Sequence, residues 1–175
     1  MAFTTSLDIA SDKFTHIGLF ENVRNISEVR QDVIGGRCSA ALVSPQMVVG
    51  SRQVTVAACK AAHCHATNSM KTRSINTELI YWLSPTTSIS NSLKHFGSTD
   101  QDTSLLAVVI DDAETSAEAE AVFKRIDGDL VPLERLAELS DRGAIEKHFQ
   151  ITPKELSFSS LEDSVITRAV GKEAV

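Results

Sequence analysis

Cysteine, proline and glycine are all scarce in this 175-residue chain, with 3, 4 and 8 copies. An odd number of cysteines, with Cys59 and Cys64 only five positions apart, fits reduced thiols better than a disulfide framework. Few Pro and Gly residues and no low-complexity tract leave no compositional case for disorder away from the ends. No stretch approaches the ~20 apolar residues of a membrane helix, and no charged start followed by an apolar run opens the chain, so a soluble intracellular protein without a membrane partner is expected. Positive charge is short as well: 17 Lys and Arg stand against 23 Asp and Glu, a net charge of −6. A general electrostatic grip on nucleic acid is thereby excluded, while a local basic patch acting within a Debye length of roughly 8 Å stays open. The usual catalytic signatures are missing too: there is no G-x-S-x-G turn, no P-loop and no G-x-G-x-x-G. What remains is an ordinary globular composition, 42% hydrophobic and 23% charged. A chain of this size buries roughly 70% of its unfolded surface, enough for one domain over residues 1–175.

Residues 14–23, FTHIGLFENV, read as a strand. The next segment places Ile26, Val29, Val33 and Ile34 at helical spacing and ends at Gly35-Gly36, a left-handed C-cap. SAALVSP is a short buried run closed by Pro45, and SRQVTVAACKAAHCHAT reads as an Ala-rich helix begun by a Ser cap. INTELIYWLSP alternates, carries β-branched and aromatic residues, and reads as a strand; SISNSLKHFG reads as a capped helix ending at Gly97. TSLLAVVID is the clearest strand, its unbroken apolar run fitting a central position covered on both faces. SAEAEAVFKRI follows as a helix, LERLAELSDRGAIEKHF as one or two short helices, and FSSLEDSVITRAV as a terminal helix with Phe158, Leu161, Val165 and Ala169 on one stripe. The expected class is α/β (α+β): a mixed β-sheet packed against helices, with a C-terminal helix.

Cys59, His63, Cys64 and His65 suggest zinc by residue type. On a helix only Cys59 and His63 share a face, since the next two residues turn away by about 100° and 200°, and no second pair elsewhere completes a site. No metal, cofactor or catalytic residue is therefore assigned. Asp111-Asp112 at a strand end could hold a metal or simply end the strand. A stand-alone metal- or small-ligand-binding enzyme using Cys59, His63 and Asp111 is the rival reading.

Lys71 and Arg73, one residue apart, would lie on one side of extended backbone, where a point charge and a planar fork could hold neighbouring phosphate oxygens. Lys60 and His63 on the upstream helix could lie close. The bland alternative pairs Arg73 with Glu78. The terminal helix has a second apolar edge at Ile166 and Val170, more than one contact would cover.

Five pieces in order resemble the PRPK-binding (TPRKB) family, the kinase-binding subunit of the KEOPS (EKC) complex. They are Ala57-Ala58 with Lys60-Ala61 and His63; Met70-Lys71-Thr72-Arg73 followed by Thr77-Glu78; Leu83-Ser84-Pro85; Ile89-Ser90 with Leu93 and Phe96-Gly97; and Asp102-Thr103-Ser104. The resemblance implies a non-enzymatic protein of cytoplasm and nucleus, without cofactor. Its direct partner would be the small lobe of the atypical kinase PRPK, which contacts the subunit that transfers threonylcarbamoyl to tRNA. It implies kinase-facing residues among Leu161, Val165, Ile166, Ala169 and Val170, joined by Val29 and Val33 of the first helix. It also implies a role in holding the tRNA 3′ end, with Lys60, Lys71 and Arg73 as the cations. Cys59 and Cys64 depart from the family, which carries other residues there.

Overall fold

The computed structural model describes residues 2–7 and 13–174, and the expected α+β class holds. Strands β1 (Phe3–Ser6), β2 (Phe14–Glu21), β3 (Ala41–Val43), β4 (Leu105–Asp111) and β5 (Asp129–Val131) form one sheet in the order β1-β2-β4-β3. β4 pairs along nearly all of β2, so β1 and β5 share the other side of β2, end to end. Every described pairing is antiparallel, more uniform than the mixed sheet expected. β4 is central, as its continuous apolar run implied. Leu106 and Val108 face one apolar cluster and Leu105, Ala107 and Val109 face another.

Helices cover both faces, giving three layers. On one side lie α1 (Ile26–Ile34) and α5 (Ala117–Arg125); on the other lie α2 (Ser51–Ala66), α3 (Ile75–Leu83), α4 (Ile89–Phe96), α7 (Arg142–His148) and α9 (Leu161–Gly171). Two single-turn helices, α6 (Leu136–Leu139) and α8 (Pro153–Leu156), complete the second side. α1 stops where expected: Gly36 takes φ +72°, while its N–H donates to the Val33 carbonyl at 3.1 Å and the Arg37 N–H to the Asp32 carbonyl at 2.8 Å.

Three local expectations are corrected. INTELIYWL is α3, not a strand: Ser74 caps it by accepting the Thr77 N–H, and every residue from Glu78 to Leu83 is buried. A helix apolar all round loses the 3.6-residue signature, and core packing overrides its β-prone composition. α2 starts from Gly50 without a side-chain cap; Gln53 instead reaches back to accept the Val49 N–H at 2.9 Å. Phe158 is not on the terminal stripe, because Ser160 caps α9 two residues later and leaves Phe158 77% exposed.

α9 lies against α2 and α3. The ends of α2 and α9 meet at the same level: a side chain on Gly50 would touch the Glu162 carboxylate, and Arg52 pairs with Asp163. The two helices therefore run side by side in one direction.

Candidate nucleic-acid and partner-docking surface

One buried carboxylate organises the cationic segment. Glu78, 0% exposed, accepts the N–H groups of Lys71 at 3.0 Å and Thr72 at 2.8 Å on one oxygen and the Trp82 Nε1–H at 3.1 Å on the other. The Thr72 hydroxyl lies 2.8 Å from the same carboxylate and 3.0 Å from the Ser74 carbonyl, its single proton serving one at a time. Donors meet both oxygens of this carboxylate, the arrangement that makes burial of such a group tolerable. The Arg73–Glu78 pair weighed from the sequence does not form: Glu78 holds the loop through main-chain amides. Arg73 is exposed, makes no ion pair among the described residues, and directly precedes the cap of α3.

The same assembly seats Lys60. Its Nζ lies 4.6 Å from the centre of the Trp82 ring whose N–H is bound to Glu78. Glu78 thus holds the loop backbone at Lys71 and Thr72, just before Arg73, and orients the indole beside Lys60. His63 is exposed on α2 nearby in the chain.

A third lysine, which sequence reasoning missed, joins them through the rings of Tyr81 and Trp82. The Lys172 ammonium, in a residue only 8% exposed, donates to the Tyr81 carbonyl and to the Ser84 carbonyl at 3.0 Å, and sits 3.5 Å from the Tyr81 ring centre and 4.9 Å from that of Trp82. It caps the open carbonyls at the end of α3 and so ties the chain terminus to that helix. Burial pulls Lys172 down to about 7, against the opposing pull of Glu173 and Glu78. Beside it the Tyr81 hydroxyl donates to Glu173 at 3.0 Å, and burial, then this bond, push the phenol up to about 12. The Glu173 oxygen that accepts from Tyr81 lies 3.9 Å from the Lys71 Nζ. Glu78 and Trp82 were legible as an i, i+4 pair only once α3 is a helix.

Next to this loop opens a cleft of about 590 Å³, bordered by Ser74 and Thr77 of the α3 start and walled by Val33, Ile34, Ile80 and Leu93. Ile34 is 80% exposed at its rim.

The residues expected to face a kinase separate into two groups. Val29, Val165 and Ala169 are closed off in this chain's own core, and α1 lies on the opposite face of the sheet from α9. Those three side chains build the fold and present no contact surface, and one continuous patch does not join Val29 and Val33 to α9. Val33 and Leu161 are partly buried against the two core clusters. Ile166 and Val170 are half-buried on the outer edge of α9, as is Val56 on the neighbouring α2.

Among the described residues no three His, Cys, Asp or Glu side chains gather as metal ligands would. Cys64 is buried in the core while His63 and His65 face solvent. Asp111 accepts from the Ser116 hydroxyl and from the Asp112 N–H, and these bonds hold its carboxyl below the usual carboxylate range. Ser116 in turn caps α5, so Asp111 works in the turn that leaves β4. No described helix is long and apolar enough to cross a membrane.

The chain matches a family model described as kinase binding protein CGI-121 over residues 20–173. It is 34% identical over 173 residues to the EKC/KEOPS complex subunit TPRKB of Danio rerio, covering 99% of each chain. The EKC/KEOPS complex subunit cgi121 of Aspergillus fumigatus is 31% identical over 143 residues, 78% of this chain and 76% of that relative. Its Schizosaccharomyces pombe counterpart is 28% identical over 160 residues, 87% of this chain and 92% of the relative.

Proposed function

This chain belongs to the CGI-121 family of kinase-binding proteins, and we propose that it is a non-catalytic subunit of an EKC/KEOPS complex that docks on the small lobe of the atypical kinase PRPK. In that role it supports threonylcarbamoyl transfer to tRNA by helping to hold the tRNA 3′ end. The observation that carries the docking reading is the apolar edge of Ile166 and Val170, half-buried on α9. Apolar surface of this kind becomes favourable to cover at about 25 cal/mol per Å², and a standard interface of roughly 1,600 Å² suffices for stable association after its entropic costs.

The RNA reading rests on the loop pinned by Glu78. Lys71 and Arg73 flank Thr72 immediately before the start of α3, where unpaired helix amides also favour an anion. Single-stranded ends are held by a few phosphate contacts and by pockets for unstacked bases, not by a broad basic face. The cleft beside Ser74 and Thr77 supplies an apolar wall of suitable size. The direct test is co-purification: the chain should recover the kinase from cells, and the Ile166→Glu, Val170→Glu double variant, still folded, should not.

A further inference from the structure

The Lys71 ammonium is not idle. Its nearest acid is Glu173, whose Oε1 lies 3.9 Å away and is also the acceptor of the Tyr81 hydroxyl at 3.0 Å. Glu173 does not reach this position by chance of a loose tail. The preceding residue, Lys172, is buried and seated on the Tyr81 and Ser84 carbonyls, so the backbone that carries Glu173 is anchored to the end of α3. The opposite side of the pair is anchored too, because Glu78 fixes the Lys71 backbone N–H. Two pinned segments, the loop between α2 and α3 and the stretch that follows α9, thus hold a carboxylate against a cation on the surface. The Lys71 side chain is 53% exposed and that of Glu173 33%, so both remain open to an incoming anion.

We propose that Glu173 is an internal competitor that occupies Lys71 in the free chain and must yield it before a phosphate can be held there. This rests on the reading of Lys71 as an RNA-phosphate contact. A carboxylate oxygen and a phosphate oxygen offer the ammonium the same chemistry, and the Glu173 charge beside Lys71 offsets its attraction for an incoming phosphate. The pair is weak enough to exchange: exposed ion pairs are worth a few tenths to about 1 kcal/mol. Val170 lies three residues before Glu173, so a partner seated on the outer edge of α9 bears on the same terminal turn.

The test uses the full chain, a fluorescein-labelled 12-nucleotide single-stranded RNA, and inorganic tripolyphosphate as a second probe free of bases. Glu173→Gln keeps the acceptor for Tyr81 and removes the charge. It should tighten both probes by about 2- to 5-fold, the range expected for an exposed pair, and the gain should vanish when Lys71→Ala is also present. An equal gain in the Lys71→Ala background would reduce Glu173 to one more negative charge and overturn the proposal, as would no gain for either probe. If tripolyphosphate gains through Lys71 while RNA fails to bind any variant, the competitor stands and the RNA reading falls.

Discussion

Trp82 donates its Nε1–H to the Glu78 carboxylate one helical turn earlier, at 3.1 Å, and the other oxygen of that carboxylate takes the main-chain amides of Lys71 and Thr72. The same bond orients the ring over which Lys60 sits. Glu78→Leu would leave the two amides and the indole N–H buried without acceptors. Each such donor costs roughly 1–3 kcal/mol, partly relieved by water entering the loop, so a net loss of roughly 2–4 kcal/mol is expected in urea unfolding. Trp82 is the only tryptophan, and its fluorescence reports the change directly.

Lys172 gives the protein a pH dependence of definite sign. Its folded value of about 7 lies below the ordinary 10.5, so the folded state sheds the proton first. Above pH 7 the unfolded chain binds more protons, and the stability of the wild type relative to Lys172→Met should rise with pH towards the ordinary lysine value. Well below the folded value, from about pH 6 down, both states are protonated and the difference should be flat. Between pH 7 and 9 the rise should be about 2 kcal/mol, read from paired urea titrations. The groups that face the amine, the carbonyls of Tyr81 and Ser84, the rings of Tyr81 and Trp82, and the acids Glu173 and Glu78, are unchanged in the comparison.

Charge reversal at Lys71 and Arg73 should act on RNA affinity without unfolding the chain, because both side chains are exposed and the loop is held by backbone bonds. Each lost single-strand phosphate contact removes about 0.7 from the slope of log K against log salt, so Lys71→Glu, Arg73→Glu should lower its magnitude by about 1.4. An unchanged slope would return both residues to a structural role.

The parts of the fold visible in the sequence were those with a strong local cause. β4 announced itself by an unbroken apolar run, α1 by its spacing and the left-handed Gly36, and α4 by the Ser88 cap. α3 did not, since a helix buried from Glu78 to Leu83 has no polar face to mark its period. β1 and β5 are short edge strands whose pairing with β2 is set by tertiary contact. The surface was legible only in part: Lys60, Lys71 and Arg73 stood out by type, but Glu78, Lys172 and Glu173 join them only once α3 and the terminus fold together. Spacing set Val165 on the main stripe of the last helix and Ile166 on its second apolar edge. Packing against α2 and α3 then buried the first and left the second half-open.

The most direct test of the account is a binding titration of the purified chain with the small lobe of the PRPK kinase. Ile166→Glu, Val170→Glu should weaken binding at least about tenfold, the loss expected when two charges are forced into an apolar interface, with an unchanged unfolding midpoint. Leu161→Glu is a poorer probe, because Leu161 also packs against the core. Wild-type affinity in the folded double variant would contradict the account, since no docking surface on the outer edge of α9 would then exist.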